Sequence, residues 1–464
     1  MSVPSGMATR PPPAGAAMGG HRELDCCRED LMDIAEDTET TGQDPLPEPE
    51  FKVFEELESE VRIYCRKFPA VFERAKGAEL FAEDGRTFID FFCGAGTLNY
   101  GHNNDFIKAR VTEYLAADGI AHGLDMYTVA KREFLDAFAD TVLRPRGLDY
   151  KAQFTGPTGT DAVEAALKLV RKQTGRSGLV AFTGAYHGMS RGSLAVTGSR
   201  RARRAGGVAG QDVTFVPYED GPQGPFDSIG YLERLLADPS SGVDLPAAVI
   251  VEPTQLEGGV YPASAGWLRA LRELTERHGI LLILDEIQAG CGRSGRFFCF
   301  EHAGIIPDVV TLSKSLSGYG LPLSMVLFKR ELDVWEPGEH TGTFRGNQLA
   351  FVAATAACAL WRQEGFHTHL AAAIGRLDRF RGELDSLAQG LVTRGSGMAL
   401  GIDLGAAGGP QRAERLQRYA FDRGLIVELC GRQDEVVKLL PPLTVDLAVL
   451  DRGLDVLRQG LQSI

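Results

Sequence analysis

No stretch of this sequence reaches the roughly eighteen apolar residues in a row that a membrane helix needs, so nothing in it reads as a span. Eight cysteines lie scattered at positions 26, 27, 65, 93, 291, 299, 358 and 430, with no Cys-x-x-Cys pair and no cysteine–histidine cluster. This spacing argues against a disulfide framework and a zinc site and leaves plain buried thiols. The adjacent Cys26-Cys27 is a poor candidate for either role. Basic runs are almost missing too. Arg200-Arg201-Ala202-Arg203-Arg204 stands alone, without interleaved aromatics, in a chain of net charge −13, and reads as a solvated loop rather than a nucleic-acid surface. No Gly-Lys-Ser/Thr triplet follows a glycine-rich turn, which excludes a loop for nucleoside triphosphates.

What is present is a chain of 464 residues with 44% apolar content, more than one core usually serves, so two packed domains are expected. Much of the negative charge is local. Residues 1–50 hold three arginines against eleven acids, and their Pro, Gly and Ala content cannot bury enough apolar surface to fold alone. A disordered acidic tail is expected there. It has neither the apolar core of a signal peptide nor the acid-poor composition of a transit sequence, so the cytoplasm is the expected compartment.

The chemistry gathers between Leu281 and Lys314. Leu281-Leu282-Ile283-Leu284 is short, apolar and unbroken, as a strand buried on both faces tends to be, and it ends at once in Asp285-Glu286-Ile287-Gln288. Asp308-Val309-Val310-Thr311-Leu312 reads as a second buried strand and delivers Ser313-Lys314 into a glycine-rich turn. In open α/β sheets ligands bind outside the carboxyl ends of the strands, so Asp285 and Lys314 should face one pocket. Pyridoxal phosphate uses such a pair: the lysine forms a Schiff base with its aldehyde, and a carboxylate keeps its ring nitrogen protonated. Two isolated residues of this kind are more often a buried structural ion pair.

Other words of the sequence fit the first reading. Gly156-Pro157-Thr158-Gly159-Thr160 opens a helix whose Val163, Ala166, Leu167 and Val170 share a face, with Glu164 and Lys168 expected to pair on the other. Free backbone amides and the positive end of the helix dipole make that start an anion site, with Gly159 and Thr160 nearest a phosphate. The strand Leu179–Phe182 leads to Ala185-Tyr186-His187-Gly188, where the ring of Tyr186 is placed to lie over a pyridinium. A third buried strand, Ala247–Val251, ends in Glu252-Pro253-Thr254-Gln255-Leu256-Glu257. Glu55–Tyr64 reads as a helix, Phe81–Phe92 as two short strands broken at Gly85, and Gly94–Asn104 as a loop crowded by a ligand or partner subunit. Beyond Gly346 the pattern is helical, with strands at Gly395–Asp403 and Gly424–Leu429.

Asp285-Glu286-Ile287-Gln288 followed by Ser313-Lys314, 29 positions from carboxylate to lysine, resembles the class III aminotransferases of fold type I. Within that class Gly94–Asn103, His122–Met126 and Gly342–Asn347 resemble the diaminobutyrate–2-oxoglutarate transaminases of ectoine biosynthesis, and the likeness covers about residue 55 to the end. The resemblance implies an α/β protein: a large domain with a mostly parallel seven-stranded sheet covered by helices, over 111–345, and a smaller α+β domain over 346–464. Residues 51–110 would join the small domain and a dimer interface. It implies pyridoxal 5'-phosphate as cofactor, with Lys314 and Asp285 catalytic and Gly159, Thr160, Tyr186, Gln288 and Thr343 also binding it. Gln288 would bond the ring oxygen, and Thr343 would reach the phosphate of a neighbouring subunit, so that a homodimer or higher oligomer shares its sites. Glu257 matches an acid that, in relatives, pairs with a substrate-gripping arginine. The implied reaction moves an amino group from L-glutamate to L-aspartate 4-semialdehyde, giving L-2,4-diaminobutyrate and 2-oxoglutarate.

The family pattern also breaks. Leu256 stands where the class usually has glycine, and Met189 and Lys438 stand where ornithine- and γ-aminobutyrate-type relatives place arginines for substrate carboxylates. A lysine offers a point charge where arginine offers a planar fork, and methionine offers none. Lys438 and Arg345 are therefore the candidate grips. An aminomutase or epimerase on the same scaffold, needing no amino acceptor, and a catalytically silent scaffold are the competing readings.

Overall fold

The computed structural model describes residues 51–207, 212–387 and 390–464, so the expected disordered tail lies outside the described residues. The buried apolar runs become the middle of a seven-stranded sheet. Its order is Tyr150–Phe154, Met325–Lys329, Val309–Leu312, Leu281–Asp285, Ala248–Val251, Leu179–Phe182, Val213–Val216. Met325–Lys329 runs antiparallel to both neighbours and every other pair is parallel, which confirms the mostly parallel sheet expected. Val309–Leu312, Ala248–Val251 and Leu179–Phe182 are buried throughout, because helices cover both faces and no side chain alternates toward water.

The helix Gly159–Thr174 buries Val163, Ala166, Leu167 and Val170, as its spacing predicts, against Ile250, Ile283, Val309 and Val326 of the sheet. On its other side the expected Glu164–Lys168 pair does not form. Glu164 Oε1 instead accepts from Ser190 Oγ (2.5 Å) and the amide of Gly192 (2.6 Å), while Lys168 donates to the carbonyl of Glu339. Neighbours from distant sequence outcompete an exposed i,i+4 pair worth only a few tenths of a kcal/mol, roughly 0.2–0.5.

Among the described residues two four-stranded sheets and two two-stranded ribbons accompany the seven-stranded sheet. Val392–Ser396, Ala399–Asp403, Val436–Leu439 and Glu428–Cys430 form an antiparallel sheet, with the helix Gly409–Phe421 packed beside it. The expected strand Gly424–Leu429 is split: Leu425–Ile426 leaves that sheet and pairs in parallel with Thr87–Asp90, next to Glu79–Ala82 and Phe72–Lys76. The C-terminal part of the chain is thus stitched to its beginning. The break at Gly85 falls where expected, between Glu79–Ala82 and Thr87–Asp90. In the glycine loop the crowding comes from the chain itself, since a Cβ on Gly101 would lie 2.9 Å from the carbonyl oxygen of Gly77.

Two expectations are corrected. The helix read over Glu55–Tyr64 runs instead over Lys52–Leu57, buries no residue, and ends where Arg62 Nη1 takes the carbonyl of Phe54 (2.7 Å). Tyr64 opens a separate turn, Tyr64–Lys67, because its ring packs on Phe92 (centroids 4.8 Å apart) and its hydroxyl bonds Glu428 (3.1 Å). The basic run is a short helix, Arg200–Ala205, rather than a loop: Ser199 caps it at the amide of Ala202, and Arg203 lies over the ring of Phe215 at 5.0 Å.

Candidate active site

Asp285 is the last residue of the strand Leu281–Asp285, and its carboxylate is 4% exposed. Its Oδ1 accepts from Thr311 Oγ1 on the next strand (3.0 Å) and from the amide of Ile287 (3.1 Å). Its Oδ2 accepts from His187 Nδ1 at 2.7 Å. That imidazole is buried, and its backbone amide bonds Thr197 Oγ1 (3.0 Å), so the ring and the carboxylate hold each other in place. The sequence reading passed over His187. Its only sign was the His-Gly word after Tyr186, and a contact across 98 positions leaves no local pattern.

Lys314 follows the strand Val309–Leu312 by two residues and has a φ of 44°, the left-handed region that a side chain rarely adopts. The turn therefore holds it under backbone strain at the sheet's carboxyl edge. Ser315, next to it, bonds the carbonyl of Gly96 and the amide of Asn99, which ties this turn to the glycine loop (2.8 and 3.0 Å). Burial pulls the Lys314 amine below the usual lysine range, although the Glu257 carboxylate raises it. No hydrogen bond or ion pair engages Lys314 Nζ among the described residues.

Asp285 and Lys314 line one cavity of about 270 Å³, together with Gly159, Thr160, Tyr186, His187, Gly188, Met189, Glu252, Ile287 and Gln288. Sequence had placed Asp285, Lys314, Gly159, Thr160, Tyr186 and Gln288 in one pocket, and the fold brings all six together. Gly159 and Thr160 begin their helix, where the amides have no intrahelical carbonyl to bond. Thr158 caps it with Asp161, whose Oδ2 accepts from Thr158 Oγ1 (2.8 Å) and amide (3.3 Å). Thr160 Oγ1 meets the hydroxyls of Ser190 and Ser193, both at 2.6 Å. Gly188 is required beside them: its φ is 126°, and a Cβ would sit 2.6 Å from Thr160 Oγ1.

Tyr186 is 39% exposed, and its backbone is fixed by Glu252 Oε2, which accepts its amide at 2.9 Å. Burial, with the Asp285 charge nearby, pushes Glu252 well above the usual carboxylate range. Gln288 Nε2 donates to the carbonyl of Ala95 (2.9 Å) and to Glu257 Oε1 (2.8 Å).

The remaining candidates stand apart from this cavity. Lys438 is wholly buried, with its Nζ 2.7 Å from Glu257 Oε1 and 3.1 Å from Glu428 Oε2. Lys438 holds Glu257 below the usual range against the burial that raises it, while burial lifts Glu428 above it despite the same lysine. Arg345 pairs with Asp125, donates to the carbonyl of His340 (3.1 Å) and lines a different hollow with Lys131 and Trp335. Neither grip lines the cavity of its own chain, and both positive charges are engaged by acids of this chain. Thr343 is exposed and likewise lies outside it.

The sequence matches the family described as aminotransferase class-III over residues 64–461. It is 54% identical over 414 residues to an uncharacterised aminotransferase of Sinorhizobium fredii, covering 88% of this chain and 92% of that one. It is 53% identical over 420 residues to a diaminobutyrate–2-oxoglutarate transaminase of Bordetella parapertussis, covering 89% and 95%. Among solved structures, the ornithine aminotransferase of Toxoplasma gondii superposes with a TM-score of 0.76 at 24% identity, over 89% of this chain and 94% of that one, and so shares its fold.

Proposed function

The chain belongs to the class III aminotransferases, and on that premise we propose that it transfers an amino group from L-glutamate to L-aspartate 4-semialdehyde, yielding L-2,4-diaminobutyrate and 2-oxoglutarate. The observation that carries this substrate pair is the 53% identity, over 89% of the chain, to a relative named for that reaction.

The residues present fit the family's cofactor, pyridoxal phosphate. A lysine amine that is buried, lowered in basicity and free of partners is what a carbonyl group meets productively, and this one stands in a cavity with a buried carboxylate and a helix start. When bound, pyridoxal phosphate supplies an electron sink for negative charge developing at the substrate carbon. Lys314 Nζ would hold the cofactor and would carry the proton to and from that carbon. Asp285, held by His187 and Thr311, would keep a proton on the ring nitrogen. The first amides of the helix Gly159–Thr174 and the Thr160 hydroxyl would hold the phosphate, with Tyr186 on the ring. Gln288 would bond the ring oxygen, and Thr343 would reach the phosphate from a second copy of the chain in a cytoplasmic homodimer.

Purified protein given L-2,4-diaminobutyrate and 2-oxoglutarate should form L-glutamate, and omission of 2-oxoglutarate should stop the turnover of diaminobutyrate. Turnover that persists without the oxo acid would point to a mutase or epimerase and overturn the reading.

A further inference from the structure

Lys438 has two acidic partners and one charge to share between them. Glu428 faces it across adjacent antiparallel strands in register, so the sheet itself fixes that contact, and Glu257 approaches from the loop after Ala248–Val251. The lysine side chain is wholly buried and that of Glu428 is 5% exposed, whereas that of Glu257 is 25% exposed. Glu428 Oε1 accepts from Tyr64, but its buried Oε2 takes no hydrogen bond, although it lies beside the ammonium. A lysine buried behind two carboxylates has no charge to spare for a substrate carboxylate. The unit is an anionic wall.

The wall adjoins the cavity through Gln288, although none of its three residues lines it. Glu257 Oε1 accepts from Gln288, which lines the cavity with Lys314, and the charges of Glu257 and Glu428 act on both Lys314 and Tyr186. Resting on the proposed reaction, we infer that Glu257, the accessible acid of the pair with Glu428 buried behind it, is the subsite for the α-ammonium that a diamino acid keeps while its 4-amino group reacts. L-Aspartate 4-semialdehyde keeps the same ammonium at its unreacted end. Glutamate, reacting through its 2-amino group, has only a carboxylate there. The wall therefore favours one of the two substrates that share this cavity, and does so with residues that touch no reacting atom.

4-Aminobutyrate is 2,4-diaminobutyrate without the α-ammonium, so the pair isolates the contact. The holoenzyme, with 2-oxoglutarate as acceptor, should have a higher kcat/KM for diaminobutyrate than for 4-aminobutyrate. Glu257→Gln should shrink that ratio by about tenfold, the scale of one charge-assisted hydrogen bond, with the loss falling on KM for diaminobutyrate rather than on kcat. The variant leaves Lys438 one acid, so no buried charge is stranded, and Glu428→Gln repeats the test from the buried side, through charge alone. A change in the ratio smaller than about threefold in both variants, or equal losses on both amines, overturns the inference. If wild type turns over no diaminobutyrate, the proposed function itself fails and takes the inference with it.

Discussion

Three hydrogen bonds reach the carboxylate of Asp285, from Thr311, Ile287 and His187, and they set its position. Asp285→Asn should keep the fold and lose activity by about a hundredfold or more, the range for an electrostatic group aimed at developing charge. Wild-type kcat in that variant would return the residue to a structural part. His187→Ala should cost less, about 1–3 kcal/mol, since it removes one bond to the carboxylate and leaves the others. Glu286 beside them answers to pH. Its carboxylate caps the amides of Cys299 and Phe300 (both 2.9 Å), and burial raises it to about 8 from 4.5 although those amides lower it. Where the folded protein keeps a proton that the unfolded chain has released, stability falls as pH rises, here from about 4.5 to about 8. Tm profiles across that window should slope less in Glu286→Gln than in wild type, and parallel profiles contradict the assignment. Asp285 and Lys314 were legible in the sequence because strand ends announce themselves. The partners of Asp285 and Arg345 were not, since each is a contact between distant segments, and Glu257 as partner of Lys438 was implied only by the resemblance.

The helix Gly159–Thr174 shows what an element discloses. Its apolar spacing and glycine start foretold its core face and its place at the cavity, whereas the fate of Glu164 and Lys168 depended on Gly192, Ser190 and Glu339 from elsewhere. Likewise Tyr64 is set by Phe92 and Glu428 and not by the helical pattern around it. The close approach of Gly188 to this helix gives a test. Gly188→Ala would press a methyl against Thr160 Oγ1 and Ser193 Oγ, at 2.6 and 2.7 Å, in a backbone conformation that alanine resists. Cofactor retained after dialysis should fall in Gly188→Ala, and full retention would show that the hydroxyl cluster does not shape the phosphate end.

At the scale of the molecule, buried strands were legible from their apolar runs and the mostly parallel sheet was implied by the resemblance, but strand order was not. The antiparallel insertion of Met325–Lys329 and the pairing of Leu425–Ile426 with Thr87–Asp90 join segments far apart in the chain. The shared site proposed for two chains belongs to this scale as well. Thr343 and Phe344 are exposed, and Thr343 lies outside the cavity of its own chain, which leaves it open to the proposed contact with a second copy. Thr343→Ala should weaken cofactor binding by roughly 1.5–3 kcal/mol, most visibly at low protein concentration, because a ligand that binds only the dimer favours the dimer. A titration repeated across protein concentrations, with sedimentation, checks this, and a monomer that binds as tightly as the dimer contradicts it. The proposed reaction moves one particular nitrogen and requires Lys314. Diaminobutyrate labelled with heavy nitrogen at its 4-amino group should pass the label to glutamate formed from 2-oxoglutarate, and Lys314→Ala should pass none. Glutamate without the label, or labelled glutamate formed at an undiminished rate by Lys314→Ala, would contradict the account.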